Sequence, residues 1–452
     1  MLSLLTKERR AKDLTSFHRV FLLVLVSIGS SIVYTPAYLQ YVFDKPLGKA
    51  LIASGVATQD SVATTMGTLL SAYSWTALVC YLPSGIIADR IRVRTLAWVG
   101  FGSTALLVYW YAFFPSYTAL IGLFIAMGIT TILIWWGIRF KLVRLISEED
   151  EYSRNIGISY GLYGLVGLLL GFLNAWIISL LSDQGDVIPM RAVLIVLGSV
   201  IMALAVLSFL FIPKFEGEFG SGDEGFNFKQ LGQVLSNPVV WLAAATLFFV
   251  YFFYTGVNQT TGYMDNVMKL APGIVLVVGS VRTYGVSLVS APVFGAVATK
   301  LGSPSKVIGT GSVVVMVGLA VFAFLPAQAS LAYVAVAMAI LLAFIANGVF
   351  GICSSQLTEG KVSVSVFGTA TGLLSVIGFL PDTFSYIWFG SIRDAHQDNP
   401  AVAYNQIFLI LAGAALIAAV CAFALVVVAR KRNAAADEAE PAENGSSNDD
   451  GK

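Results

Sequence analysis

The sequence predicts an all-α membrane protein of twelve transmembrane helices, divided six and six, on three observations. Only 12% of the 452 residues are charged and 57% are hydrophobic, against about 25% and about 45–50% in a soluble domain; the mean hydropathy is +0.81. The apolar residues gather into runs of about 20 or more, the length a helix needs to cross roughly 30 Å of hydrocarbon, without the alternation of barrel strands. The longest internal polar stretch, residues 213–237, leaves six runs on each side.

In order, the runs place helices at about residues 17–42, 62–87, 94–114, 118–144, 156–181, 189–212, 238–264, 273–298, 305–326, 330–356, 363–390 and 404–429. The chain thus divides into an N-terminal segment (1–16), a first bundle (17–212), a linker (213–237), a second bundle (238–432) and a tail (433–452) whose composition reads as disordered. Residues 1–15 have no apolar core ahead of the first run, which therefore reads as an uncleaved anchor. Of the 27 Lys and Arg residues, 20 fall on the side of the two termini and five on the other, with Arg139 and Arg282 inside spans. That asymmetry predicts both termini in the cytoplasm and a multi-pass inner-membrane protein.

A net charge of +1 gives no bulk attraction for nucleic acid. Cys80, Cys353 and Cys421 lie in apolar runs without a CxxC or Cys/His pattern, so neither disulfides nor a metal or other cofactor is expected. There is no GxxxxGK[ST] loop for a self-contained ATP-driven pump, no HExxH, and no nucleophile motif in a span; a membrane enzyme is not expected.

The loop after the second run reads Gly85-Ile-Ile-Ala-Asp89-Arg90-Ile-Arg92-Val-Arg94. It resembles the signature loop of the major facilitator superfamily, G-x-x-x-D-R-x-x-R-R/K, with Gly85, Asp89, Arg90 and Arg94 matching. Glycine there permits close helix approach, and the arginines anchor the loop. A second imprint, Gly295-Ala-Val-Ala-Thr299-Lys300, lies 210 residues later with threonine for the aspartate, as in a duplicated six-helix unit. Trp136…Lys141…Arg144, Gly372…Gly378-Phe-Leu-Pro381-Asp382 and Gly390…Asp394 resemble the bacterial YihN-type branch. The resemblance implies two pseudo-symmetric bundles with a cavity lined by the first, fourth, seventh and tenth helices.

Arg282 lies ten residues into the eighth run, about 15 Å along the axis. A charge at that depth is costly and marks a functional candidate; guanidinium suits carboxylate or phosphate. The alternative is a structural pair with Asp382 or bonds to carbonyls. Asp382 follows Pro381, where the helix is expected to break, and reads as a coupling carboxyl or as the counter-ion of Arg282. Arg139 either faces Arg282 to clamp an anion or snorkels to the interface. Arg144 is expected to pair with Asp89 as a gate. Tyr34, Tyr38, Trp136, Tyr254, Asn258, Gln259 and Asn347 complete a polar cavity, Tyr251 sharing the face of Tyr254. Gly157, Gly161, Gly164, Gly167 and Gly171 form a small-residue stripe suited to close contact with the eighth helix.

The expected function is secondary active transport of a small solute, an organic anion on the balance of two arginines to one aspartate, by alternating access with a proton or counter-substrate. The alternatives are a neutral solute such as a sugar or drug, or a non-transporting sensor. The expected partners are the substrate and the lipid bilayer, with the chain a monomer.

Overall fold

The computed structural model describes residues 8–148, 151–218, 228–326 and 328–444. Every one of the twelve runs is helical. The first bundle consists of Ser16–Ile32 continued by Gln40–Ala53, then Val62–Arg90, Val93–Tyr111, Tyr117–Leu145, Tyr152–Leu180 and Val187–Phe211. The second consists of Pro238–Gly256 continued by Gln259–Asn266, then Pro272–Leu301, Pro304–Ala323, Ala332–Ile352, the broken helix Val364–Gly378 to Ser385–Ala395, and Pro400–Asn444. By length and apolarity, nine of the described helices can each cross a bilayer, and the second span, bent by 57° between Tyr81 and Pro83, makes ten. The other two are Ser16–Ile32, 17 residues, and Val93–Tyr111, 19 residues.

Local chemistry sets the helix ends. Thr15 Oγ1 accepts the His18 N–H (3.2 Å), and Asn237 Oδ1 accepts the Val239 N–H (3.1 Å); both are side-chain N-caps. The eighth span ends at Gly302 in the left-handed region (φ 61°), Ser303 caps the ninth and Pro304 opens it, the expected order of a glycine stop and a proline start. Two cores result. One is built from residues between Leu14 and Phe215, joined by Leu276 and Tyr386; the other from residues between Val234 and Ala429.

The described residues depart from the sequence reading at both ends. The first run, read as one helix, breaks between Ile32 and Gln40 around Pro36, which supplies no N–H to the ladder. The tail, read as disordered, continues the last helix to Asn444; alanine and glutamate, which fill it, are strong helix formers. Residues 445–452 lie outside the described residues.

On the face that carries both helical ends of the chain, here called the terminal face, the start of the linker is fastened to the first bundle. Glu8–Arg9 pairs in parallel with Lys214–Phe215. Arg10 Nε donates to Glu216 (2.7 Å). Glu218, 2% exposed, accepts from Arg92 (3.2 Å) and from the Val93 N–H, capping the third span. In the second bundle Thr299 turns back on its own helix (Gly295 O, 3.0 Å), and Glu359 takes over the capping, accepting from the Ser305 N–H (2.8 Å) and Ser303 (2.5 Å).

Candidate functional site

Four irregular segments converge at the centre. Arg282 sits in a π-helical turn, Val281–Gly285, and such turns recur at functional sites. Asn258 lies at the break in the seventh span, Tyr41 just beyond the break in the first, and Asp382 in the 3-10 turn Leu380–Thr383 that interrupts the eleventh. The expected break at Pro381 is present.

Arg282 is 3% exposed. Its Nη1 donates to Asn258 Oδ1, and its Nη2 donates to the Tyr41 carbonyl (2.8 Å) and to Thr261 Oγ1 (2.9 Å). All three acceptors are neutral, and Nε has no partner among the described residues. Arg282 lines a cavity with Tyr41, Tyr254, Asn258, Thr283 and Asn347. About 40 Å³ there is open to the centres of water molecules, space for roughly three. Tyr254 stacks on Phe350 (4.6 Å, 6°), and Asn347 accepts from Ser290 (2.9 Å).

Asp382 is 4% exposed. Its Oδ2 accepts from Tyr251 (2.7 Å) and Tyr38 (3.4 Å), one tyrosine from each bundle; its Oδ1 has no described partner. The ion pair with Arg282, one of the two structural alternatives, is not formed: each charge is held by neutral hydroxyl, amide and carbonyl groups. Tyr38, which holds Asp382, packs on Tyr41 (5.0 Å), which stacks on Tyr386 (5.2 Å) and whose carbonyl holds Arg282, so the two charges border one tyrosine cluster without touching.

Arg139 neither joins Arg282 nor snorkels. It is 5% exposed, does not line the cavity, and lies under aromatic rings: Tyr160 (4.5 Å), Tyr163 (5.4 Å) and Phe140 (5.4 Å). Ring faces hold a guanidinium that far from water. Tyr34 and Trp136 (6.4 Å between rings) belong to an aromatic belt rather than to the cavity lining. The belt continues from Trp136 to Tyr81 (5.2 Å), crosses to the second bundle at Phe379 (5.7 Å) and reaches Tyr251 (4.9 Å). Gln259 is 5% exposed and off the cavity.

The expected gate pair at the terminal face is also absent. Asp89 faces Lys141 at 4.0 Å, while Lys141 donates to the Ala88 carbonyl; Arg144 and Arg90 are exposed, and Arg94 Nη1 is buried without a described partner. No described atom lies within 4 Å of where a Gly85 Cβ would stand. The close approach occurs instead at Gly137, whose Cβ would meet the Ser84 carbonyl at 2.7 Å.

The described ionic contacts between bundles lie on the face opposite the termini. Asp44 and Arg393 form a two-pronged pair (2.6 and 3.0 Å), and Lys45 pairs with Asp265 (2.8 Å). Asp394 caps the second span across the interface, accepting the N–H groups of Ala63 (3.2 Å) and Thr64 (2.7 Å), where a helix N-terminus favours negative charge. Gly67 and Gly390 bring the backbones together: a Cβ on Gly67 would stand 2.3 Å from the Tyr386 carbonyl, and one on Gly390 2.5 Å from that of Ala63. Sequence reasoning missed these pairings between charges near helix ends; the signal was their concentration on a face with few basic residues. Tyr41, Tyr386 and Phe350 were missed too, each three or four residues from a residue singled out.

The family model for the Major Facilitator Superfamily matches residues 20–385. Inner membrane protein YqcE of Escherichia coli (strain K12) is 25% identical over 93% of this chain and 97% of its own length. Inner membrane protein YihN of the same organism is 24% identical over 83% and 90%. Among solved structures, a bacterial homolog of the human lysosomal transporter Spinster, inward-facing and unoccupied, superposes with TM-score 0.73 at 14% identity over 92% of this chain and 98% of that one. The nucleoside transporter NupG superposes with TM-score 0.67 at 15% identity over 92% and 99%. With a twelve-helix arrangement in two bundles and a family match across most of its length, the chain is a multi-pass membrane protein of the major facilitator superfamily.

Proposed function

We propose that the chain is a secondary active transporter of the inner membrane that moves a small organic anion by alternating access, Arg282 being the group that meets the anion. The observation that carries the reading is the guanidinium of Arg282: central, buried, held only by neutral acceptors, and with Nε unpartnered. A buried cation without a counter-charge carries a desolvation penalty of several kcal/mol, which a bound anion offsets. The Lys and Arg asymmetry puts the terminal face in the cytoplasm. Asp382, bridged to both bundles through Tyr38 and Tyr251, is the coupling carboxyl; taking up a proton changes what those hydroxyls donate to. NupG is named a nucleoside transporter, which makes a neutral solute the rival; the uncompensated charge favours the anion.

A thermal-shift screen of sugar phosphates, carboxylates and sulfonates against neutral sugars identifies the ligand class, because binding to the folded state raises its melting temperature. Arg282→Gln is expected to lower uptake of the responding anion by more than about 100-fold, or about 3 kcal/mol, with insertion and purification unchanged. Stabilisation by neutral sugars alone, or full activity of Arg282→Gln, contradicts the reading. Asp382→Asn is expected to abolish proton-driven accumulation and spare counterflow; undiminished accumulation removes Asp382 from coupling.

A further inference from the structure

Arg139 is a second buried cation that the central site does not use. It is 5% exposed, and among the described residues it makes no ion pair and its Nη2 no hydrogen bond. Three rings cover its faces, at 4.5 Å (Tyr160) and 5.4 Å (Tyr163 and Phe140). The Tyr34 hydroxyl is likewise buried with no partner among the described residues, and its ring packs against Trp136 (6.4 Å), three residues before Arg139 on the fourth span. A buried guanidinium with Nη2 unpartnered among the described residues keeps a donor for a carboxylate or phosphate.

The two arginines stand on opposite sides of the aromatic belt. On the fourth span, Arg139 is three residues beyond Trp136 toward the terminal face, about 4.5 Å along the axis. Arg282 is bonded to Asn258 and Tyr41; each lies seven residues beyond a belt member (Tyr251 and Tyr34) toward the other face, across the breaks in the seventh and first spans. Between them run the ring contacts Tyr34–Trp136, Trp136–Tyr81 and Tyr81–Phe379, the last joining the two bundles. The terminal side of the belt is where the bundles part: Gly164, Gly167 and Gly171 touch Leu288, Tyr284 and Ser280 of the eighth span, whereas no described atom lies within 4 Å of a Cβ on Gly157 or Gly161, on the same helix face.

We propose that Arg139, with the Tyr34 hydroxyl and the rings of Tyr160 and Tyr163, forms a second anion site on the terminal side of the belt, a station between the central site and the terminal face. Its ligand is a small carboxylate- or phosphate-bearing anion of the class Arg282 takes, so the inference rests on the anion reading of the central site. The belt then separates two sites in series, and the anion moves from one guanidinium to the other when Tyr81 and Phe379 part.

The test is equilibrium dialysis of the purified full-length chain with radiolabelled inorganic phosphate and, separately, citrate. Wild type is expected to bind two equivalents of at least one probe. Arg139→Gln and Arg282→Gln are each expected to bind one, and the double variant none. Arg139→Lys keeps the charge but loses the planar fork and is expected to bind the second equivalent more than tenfold more weakly; a monodisperse elution profile for each variant controls for folding. A single equivalent in wild type, unchanged in Arg139→Gln and lost in Arg282→Gln, overturns the second site and leaves the central one standing. Binding of neither probe by wild type overturns both.

Discussion

The two ends of the interface between the bundles are built differently. On the face opposite the termini it is closed by ion pairs, a cross-bundle helix cap and backbone contact at Gly67 and Gly390. On the terminal face Gly85, Gly157, Gly161 and Gly295 have no described atom within 4 Å of a Cβ, and the ion pairs of Arg10, Arg19, Arg92, Lys141 and Arg154 lie within the first bundle or among it, the N-terminal segment and the linker. The closed end is held by contacts that are all between bundles and can be exchanged together. The open end carries small residues with nothing against them, which leaves room for close approach in another state. A protein that only needed to hold its halves together would latch both ends.

The comparison can be broken most forcefully at Asp44 and Arg393, whose side chains are 12% and 16% exposed. Arg393→Ala leaves a mostly buried carboxylate unpaired and is expected to cost about 3 kcal/mol, seen as a lower melting temperature and as new thiol reactivity of a cysteine placed at Gln59. The swap Asp44→Arg with Arg393→Asp is expected to recover part of it. Gly67→Ala comes next: a Cβ 2.3 Å from a carbonyl oxygen forces the second and eleventh spans apart at about 1–3 kcal/mol, again loosening the face opposite the termini. Asp394→Ala removes the cap on the second span and is expected to cost about 1 kcal/mol. Gly161→Leu sits where nothing is in contact and is expected to change stability by less than about 0.5 kcal/mol while abolishing transport, because the terminal face then cannot shut. Normal transport by Gly161→Leu removes the role given to that glycine.

The fold was legible because hydropathy reports what each segment faces, and membrane spans have few alternatives. Arg282 and Asp382 were legible because a charge inside an apolar run stands out, and the break at Pro381 because proline cannot donate to the ladder. Their partners were not. Periodicity gives a helix face but not its rotation in the bundle, so pairing of the two charges with each other stayed open as an alternative, whereas neutral groups hold both. Asp44 and Arg393 are 349 residues apart, and no local pattern links them. The break around Pro36 was hidden because the apolar run continues through it.

The closed face and the open face are expected to exchange roles around an anion at Arg282. The most direct measurement is a pair of spin-label distances in nanodiscs, across the closed face between labels at Gln59 and Gln397, whose groups touch at 2.8 Å, and across the open face between labels at Arg90 and Lys300. On adding the anion identified by thermal shift, the first distance is expected to lengthen as the second shortens, and Arg282→Gln to abolish both changes. Distances that move in the same direction, or that respond identically in Arg282→Gln, contradict that exchange of roles.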